Sequence, residues 1–360
     1  MFAANRWALM LLPAAALWLG GCDTLAYYGQ AVDGHAQLMH RTRPIEQRIA
    51  DPDTPTGLRA RLRRVLEIRD FASRELALPD NDSYRRFADV PGEAVVWTLV
   101  ATPEFSVQPL QWCYPVIGCA AYRGYFERRA ALAKAADLGA RGRDWTVEPV
   151  AAYSTLGWFD DPLPGPVLDW PEPRLAGLIF HELAHQQLYL ADDSVFNEAF
   201  ASAVENVGVQ RWLAARGDAR GLADWRRYRQ RLDAFVALLG AARERLQVLY
   251  RQALPVAELR RAKQRVFDRL RGDYGEMAAR QGGEAPFRAW FARPLNNARL
   301  ALVNTYEQWR PAFEALLDCH EGDFPAFFEA VRQLAEAAPD RRRRVLRALA
   351  ASQEPRRSCP

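Results

Sequence analysis

The chain has 360 residues, of which 49% are hydrophobic and 26% are charged. This composition provides enough apolar side chains for one large domain or two modest ones. It excludes a disordered tail, a collagen-like fibre and a disulfide mini-scaffold. The 48 basic and 44 acidic side chains leave a formal net charge of only +4. Such a small excess argues against nucleic acid as a partner, because nucleic-acid binding is normally accompanied by a large positive charge.

A short apolar run lies at the N-terminus. It extends from Trp7 to Leu19 and follows a single charged residue, Arg6. A run of this length is too short to cross a bilayer as a helix, but it fits the apolar region of a secretory signal. The small residues Gly20 and Gly21 before Cys22 resemble the bacterial lipobox. The resemblance implies that residues 1–21 are a lipoprotein signal peptide; the alternatives are a plain signal peptide or an uncleaved anchor.

This interpretation sets the location of the rest of the chain. In a lipoprotein, Cys22 would carry the lipid and become the first residue of the mature protein. We therefore expect a bacterial envelope protein that is anchored to the membrane through its lipid and faces the periplasm.

Four further cysteines remain in the chain. An even number of cysteines in an oxidising compartment predicts two disulfides. Cys113 and Cys119 close a short loop, which favours this pair and leaves Cys319 with Cys359 by elimination. The C-x5-C spacing is not typical of a zinc motif and does not recur, so we predict no thiolate metal site.

The predicted elements describe a helical frame around a smaller β-rich stretch. Helical periodicity dominates the early chain, and β-branched or aromatic runs predict strands at Ala94–Ala101 and Thr146–Tyr153, on either side of a helix at Arg128–Leu138. From Leu175 onward the pattern is almost entirely helical. These patterns predict an α+β fold that is predominantly α-helical. Its segments are an N-terminal helical segment (22–90), a β-rich segment with a disulfide (91–165) and a helical region (166–360), which we expect to form one integrated domain from about 30 to 355.

One window, residues 181–205, contains the residues of a candidate metal site and reads HELAHQQLYLADDSVFNEAFASAVE. His181 and His185 are four residues apart, so a helix places both imidazoles on one face, where they can bind one metal ion. Glu182 would reach a zinc-bound water, whose pKa the metal lowers toward 7, and would take its proton as the water attacks a carbonyl. The alternative is a solvated helix face, but the apolar run AGLIF before His181 favours a buried helix.

A third ligand must come from the residues that follow. We expect the first helix to extend to about Leu190 and Ser194 to cap the second. Glu198 then returns to about the level of His185, and Glu205 lies two turns further along the same face. The spacing leaves both glutamates open as the third ligand.

The window resembles the gluzincin metallopeptidases, in which a glutamate ligand after an asparagine follows the HExxH helix. By this resemblance Glu198, in the pair Asn197-Glu198, is the third zinc ligand beside His181 and His185. The resemblance implies a zincin-like HExxH helix that packs against the glutamate-bearing helix, with a small β-sheet upstream. The chain departs from the well-known gluzincin aminopeptidases in two ways: only 12 residues separate His185 from Glu198, and a GAMEN motif is absent.

The whole chain resembles a bacterial family of envelope proteins described as predicted aminopeptidases, and the resemblance covers most of residues 95–310. The resemblance rests on WCYPVIGCAAYRGYF, AYSTLGWFDDPL, HELAHQ, NEAFASAVE and PLNNARL. It implies a zinc-dependent peptide hydrolase, an aminopeptidase, with a peptide as its substrate. Gluzincins typically stabilise the oxyanion with a tyrosine or histidine from a later helix, which makes Tyr306 a candidate catalytic residue.

Two alternatives remain open at this point. Asp160, Asp161 and Glu205 are all candidates for binding the substrate ammonium, and because the sequence does not choose between them, a zinc endopeptidase is one alternative. The other is a non-catalytic envelope lipoprotein that retains the zincin fold as a binding or assembly factor.

Overall fold

The structure of the protein is a computed structural model that describes residues 26–114, 118–152, 155, 159–281, 285–307 and 309–351, with the backbone only at 304–307. This part of the chain is mostly helical with small sheets, which confirms the predicted α+β class. The helices are α1 (26–40), α2 (Ile45–Ala50), α3 (Thr56–Leu76), α4 (Arg128–Ala140), α5 (Glu172–Gln187), α6 (Ser194–Ala215), α7 (Ala219–Tyr250), α8 (Val256–Arg280), α9 (Arg288–Phe291), α10 (Asn297–Glu307), α11 (Arg310–Cys319), α12 (Phe324–Glu336) and α13 (Pro339–Ala351).

The strands of the described residues form three small sheets. They are β1 (Thr42–Pro44), β2 (Arg86–Ala88), β3 (Val96–Pro103), β4 (Trp112–Tyr114), β5 (Gly118–Ala120), β6 (Arg123–Tyr125), β7 (Arg143–Val150) and β8 (Leu163–Pro164). The sheet orders are β1-β2-β8, β6-β3-β7 and β4-β5. The two predicted strands are present as β3 and β7, each displaced by two or three residues along the chain.

The strand β3 is buried on both faces. Leu99 faces the helix α4 and belongs to a core cluster with Ala131 and Val147, whereas Val100 packs against Ala298 of α10. Successive side chains of a strand point to opposite faces, so a strand between two helices is apolar throughout rather than alternating. This layering attaches the β-rich segment to the C-terminal helices.

The largest core lies among the helices α3, α5, α6, α11, α12 and α13. The helix α3 contributes an apolar face that includes Leu62, Val65 and Ile68, all fully buried. Phe200 of α6 contacts Phe313 of α11, with their ring centroids 5.9 Å apart. This core holds α5 and α6 side by side, and these two helices carry His181, His185 and Glu198.

The long helices α7 and α8 form a second core with α9 and α10. Here the rings of Tyr274 and Phe291 stack with centroids 4.1 Å apart, and Phe235 stacks on Phe287 at 4.2 Å. None of the described helices combines the length and apolarity needed to cross a membrane. The predicted signal peptide and Cys22 lie outside the described residues, so they stay predictions.

The disulfide predicted between Cys113 and Cys119 is present and joins β4 to β5. Cys319 is also disulfide-bonded. Cys359 lies outside the described residues, so its predicted pairing with Cys319 stays a prediction.

Candidate metal centre

The helix α5 carries His181, Glu182 and His185. Leu175, Ile179 and Leu183 lie on its core side and are at most 3% exposed. An apolar stripe at this spacing fixes the rotation of a helix about its axis. The two histidines therefore share one face, and their ring centroids are 4.8 Å apart.

The turn between α5 and α6 differs from the prediction in two respects. The helix α5 ends at Gln187 rather than near Leu190. The cap of α6 is Asp193 and not Ser194, because the Asp193 carboxylate accepts a hydrogen bond from the backbone N–H of Phe196 at 3.1 Å. A side-chain oxygen that accepts from the N–H three residues later satisfies a donor that the helix leaves free, so Ser194 becomes the first helical residue instead.

Asn197 fastens this turn to α6. Its Oδ1 accepts from the backbone N–H of Leu190 at 2.8 Å, and its Nδ2 donates to the Leu190 carbonyl at 2.7 Å. The Asn197 side chain is buried, and both hydrogen bonds are partly shielded from water. Sequence reasoning used Asn197 only as a neighbour of Glu198 and missed this role. The available signal was an amide side chain in the first turn of a helix, within reach of the preceding turn.

His181, His185 and Glu198 converge on one point. Nε2 of His181 lies 3.2 Å from Nε2 of His185 and 3.3 Å from Oε2 of Glu198, and Nε2 of His185 lies 3.4 Å from the same oxygen. The side chains of His181, His185 and Glu198 are 12%, 9% and 8% exposed. Within the residues that the structure describes, no other three His, Cys, Asp or Glu side chains meet in this way. The group could hold a metal ion.

Glu205 lies behind this group. Its Oε2 is 3.2 Å from Nδ1 of His181, the ring nitrogen that does not face Glu198. Gly177, one turn before His181, makes room for it, since a Cβ there would lie 3.1 Å from the Glu205 Cγ. Nδ1 of His185 is buried with no hydrogen-bond partner among the described residues. Among the described residues, a carboxylate therefore supports the imidazole of His181 but not that of His185.

The charges in this group determine the direction of each pKa shift. Burial opposes ionisation of Glu198, but the charges and hydrogen bonds of His185 and His181 outweigh it and lower the pKa of Glu198 to about 2. Burial likewise opposes protonation of His181, yet hydrogen bonds to Glu198 and Glu205 hold its pKa well above the ordinary value. Burial raises the pKa of Glu182, although the two histidines act in the opposite direction. The three glutamates near the histidines are thus not equivalent, and Glu182 is the one that most readily takes up a proton.

Residues 26–346 match the model of a family described as “Putative aminopeptidase”. The chain belongs to this family. This family description supports peptide hydrolysis as the activity of the protein. Neither a search of curated proteins nor a search of solved structures finds a match.

Gln186 lies on α5 one turn after Glu182, and its side chain contacts polar residues from other parts of the chain. Gln186 donates to Ser83 Oγ at 3.1 Å and to Asp161 Oδ2 at 3.4 Å. Asp161 is fully buried, and both of its oxygens accept from the backbone N–H of Thr155. The charge of Asp161 also raises the pKa of Glu182. Asp161 therefore organises the chain beside Glu182.

The remaining predicted site residues lie in different surroundings. Of the three candidates for binding a substrate ammonium, Asp160 is exposed, Asp161 accepts from Thr155, and Glu205 contacts His181. Tyr306 falls on α10, which packs against α6 and β3. Its side chain lies outside the described part of the chain, so its catalytic role stays a prediction.

The disulfide hairpin β4–β5 docks on the turn between α5 and α6. The backbone N–H of Cys119 donates to Asp192 Oδ1 at 2.7 Å. Gly118 has a φ of +73°, and a Cβ at this position would lie 2.5 Å from the same oxygen. Asp192 itself has a φ of +65°. Only glycine combines this backbone conformation with so close an approach, so the hairpin fits the turn between α5 and α6 through Gly118.

Proposed function

We propose that this protein is a zinc-dependent peptidase that removes residues from the N-terminus of peptides. The observation that carries the proposal is the set of separations of 3.2, 3.3 and 3.4 Å among the two imidazole nitrogens and the Glu198 oxygen. Ligand atoms about 2.0–2.1 Å from a tetrahedral zinc ion are about 3.3 Å from one another. The three donor atoms therefore fit zinc without rearrangement.

The kind of donors also supports a catalytic role. Structural zinc sites are closed by four protein ligands, whereas catalytic sites use three and keep one position for water or substrate. Two imidazoles and one carboxylate match the second class. When bound, zinc would polarise the scissile carbonyl and make a water molecule more acidic.

Two neighbouring glutamates would orient a ligand and transfer the proton. Glu205 accepts from Nδ1 of His181, which assigns the proton to that nitrogen and leaves Nε2 free to bind the metal. Glu182, next to His181 in the chain, would take the proton of the attacking water and pass it to the leaving amine. Burial raises the pKa of Glu182 and makes it a stronger base than an exposed carboxylate.

The location of the protein is a further part of the proposal. We propose that residues 1–21 are removed and that a lipid on Cys22 anchors the protein to the bacterial envelope, facing the periplasm. The disulfide between Cys113 and Cys119 supports an oxidising compartment. Labelling cells with a radioactive fatty acid tests the anchor: wild type should incorporate label and Cys22→Ser should not. Equal labelling of both would contradict it.

Metal analysis tests the zinc site directly. The purified full-length protein should contain stoichiometric zinc, His185→Ala should lose it, and Glu182→Gln should keep it. The matched control is Glu336→Gln, an exposed glutamate at the end of α12, which should behave as wild type. Absence of stoichiometric zinc from wild type would contradict the proposal.

Hydrolysis tests the catalytic step. Peptides with free N-termini should be cleaved by wild type and by Glu336→Gln, while Glu182→Gln should be about 10²–10⁴-fold slower. Peptides with acetylated N-termini should resist cleavage. Cleavage of both sets would indicate an endopeptidase, and cleavage of neither would indicate a non-catalytic binding protein. Full activity of Glu182→Gln would exclude the general-base role.

A further inference from the structure

A cavity of about 470 Å³ lies beside the first turn of α6. Residues of α7, α10, α13, the turn before α6 and the loop after β3 contribute to its wall. We call it the arginine cavity, after the four arginines that line it: Arg243, Arg342, Arg343 and Arg347. Volumes of this size are typical of sites for small molecules.

The arginine cavity lies next to the candidate metal centre. Ser194 and Val195 line it, and they precede Glu198 by four and three residues on the same helix. Residues at these spacings share a helix face, and four residues of helix advance about 6 Å. The cavity is therefore about one helical turn from Glu198.

The acidic residues of the cavity are already engaged within the protein. Asp193 caps α6 through one oxygen and accepts from Arg342 through the other, at 3.0 Å. Asp192 accepts from the backbone of Cys119. Arg342 donates in addition to the carbonyl of Ala335. Arg342 is therefore neutralised by Asp193, and one oxygen of Asp192 is engaged by the backbone of Cys119.

Two other arginines of the cavity lack such partners. Arg243 and Arg347 form no hydrogen bond or ion pair with any residue in the described ranges. Nε of Arg243 is buried, whereas the Arg347 side chain is exposed at the mouth of the cavity. Partial burial of the side chain also lowers the pKa of Arg243. A guanidinium that has lost water and gained no acceptor is unfavourable, and an anionic ligand would supply the missing acceptors.

We infer that the arginine cavity binds the C-terminal carboxylate of a short peptide whose scissile bond lies at the metal centre. A guanidinium matches a carboxylate with two parallel hydrogen bonds. One extended residue spans about 3.3–3.6 Å, so a chain leaving the metal centre reaches the cavity within two or three residues. This inference rests on the proposed function, and it assigns short peptides with a free C-terminus as the substrate class.

Calorimetric titration of the full-length protein in detergent tests the site without relying on catalysis. The probes are N-acetyl-Ala-Ala, its C-terminal amide and inorganic phosphate. Wild type should bind the acid about tenfold more tightly than the amide, and Arg243→Gln and Arg347→Gln should each reduce this preference to about twofold or less. The matched control is Arg220→Gln, a 93% exposed arginine on the same helix as Arg243, which should keep the full preference. A melting curve confirms that each variant is folded.

Three results would overturn the inference. They are equal binding of acid and amide, a preference that survives both cavity variants, and binding of phosphate with no binding of the peptide acid. The binding measurement and the hydrolysis test can fail independently of each other. If no peptide is cleaved, the proposed function fails, and the acid–amide comparison still decides whether the cavity binds a carboxylate.

Discussion

Oε2 of Glu205 lies 3.2 Å from Nδ1 of His181, while the other nitrogen of this ring lies 3.3 Å from Glu198. One imidazole is thus held between two carboxylates of the same helix. Carboxylates behind metal-bound histidines fix the ring and raise its basicity. Glu205 is therefore expected to act through His181 rather than on the metal itself.

Replacing Glu205 tests this role. Glu205→Ala should weaken zinc binding by about 10–100-fold, because the His181 ring loses its acceptor. Glu205→Gln keeps an acceptor oxygen without the charge and should fall between Ala and wild type. Competition with a zinc chelator measures both. Unchanged affinity in Glu205→Ala would remove Glu205 from the support of the site.

Asn197 is expected to contribute stability to the turn before α6. Asn197→Ala would leave both the N–H and the carbonyl of Leu190 without their partner, which should lower the free energy of unfolding by about 2–4 kcal/mol. Gln333→Ala removes an amide contact on the exposed face of α12 and should change it by less than about 0.5 kcal/mol. Urea unfolding of the zinc-free protein measures both values. An equal loss of unfolding free energy in the two variants would show that the contacts of Asn197 do not stabilise the turn more than an exposed contact does.

Two glycines with nearly the same backbone conformation allow the cost of backbone strain to be measured separately from the cost of losing the contact with Asp192. Gly118 has a φ of +73° and Gly142 of +71°, but only a Cβ at Gly118 would meet Asp192. Gly142→Ala should cost about 1–2 kcal/mol through its left-handed backbone alone. Gly118→Ala should cost at least about 1 kcal/mol more, because the hydrogen bond from Cys119 to Asp192 is displaced. Denaturant unfolding compares the two, and equal costs would argue against tight docking of the hairpin.

A second pair of glycines tests the space behind His181. Gly272 lies in α8 with nothing near its would-be Cβ, so Gly272→Ala should stabilise the protein by about 0.5–1 kcal/mol. Gly177→Ala should bring no such gain, because its Cβ would press on Glu205. We expect Gly177→Ala also to bind zinc several-fold more weakly in chelator competition. A stabilised Gly177→Ala with wild-type zinc affinity would contradict the close contact.

The helical periodicity of the sequence predicted α5 and the shared face of His181 and His185. This periodicity did not predict the residues at which the helices begin and end. Asp193 rather than Ser194 caps α6, since two neighbouring residues with similar capping ability compete and the backbone geometry of the turn selects one. The contact between Cys119 and Asp192 joins residues 73 positions apart, and no local pattern carries such a pairing.

The sequence by itself determined the adjacency of Glu182 to His181 and the common face of the two histidines, because both follow from the geometry of a single helix. Only the tertiary structure decided which nitrogen of His181 each glutamate faces. Glu198 and Glu205 lie on one face of α6, so their distances to His181 depend on the height and angle at which α6 returns along α5. The contacts of Asn197 with Leu190 and the core between the helices set that height and angle.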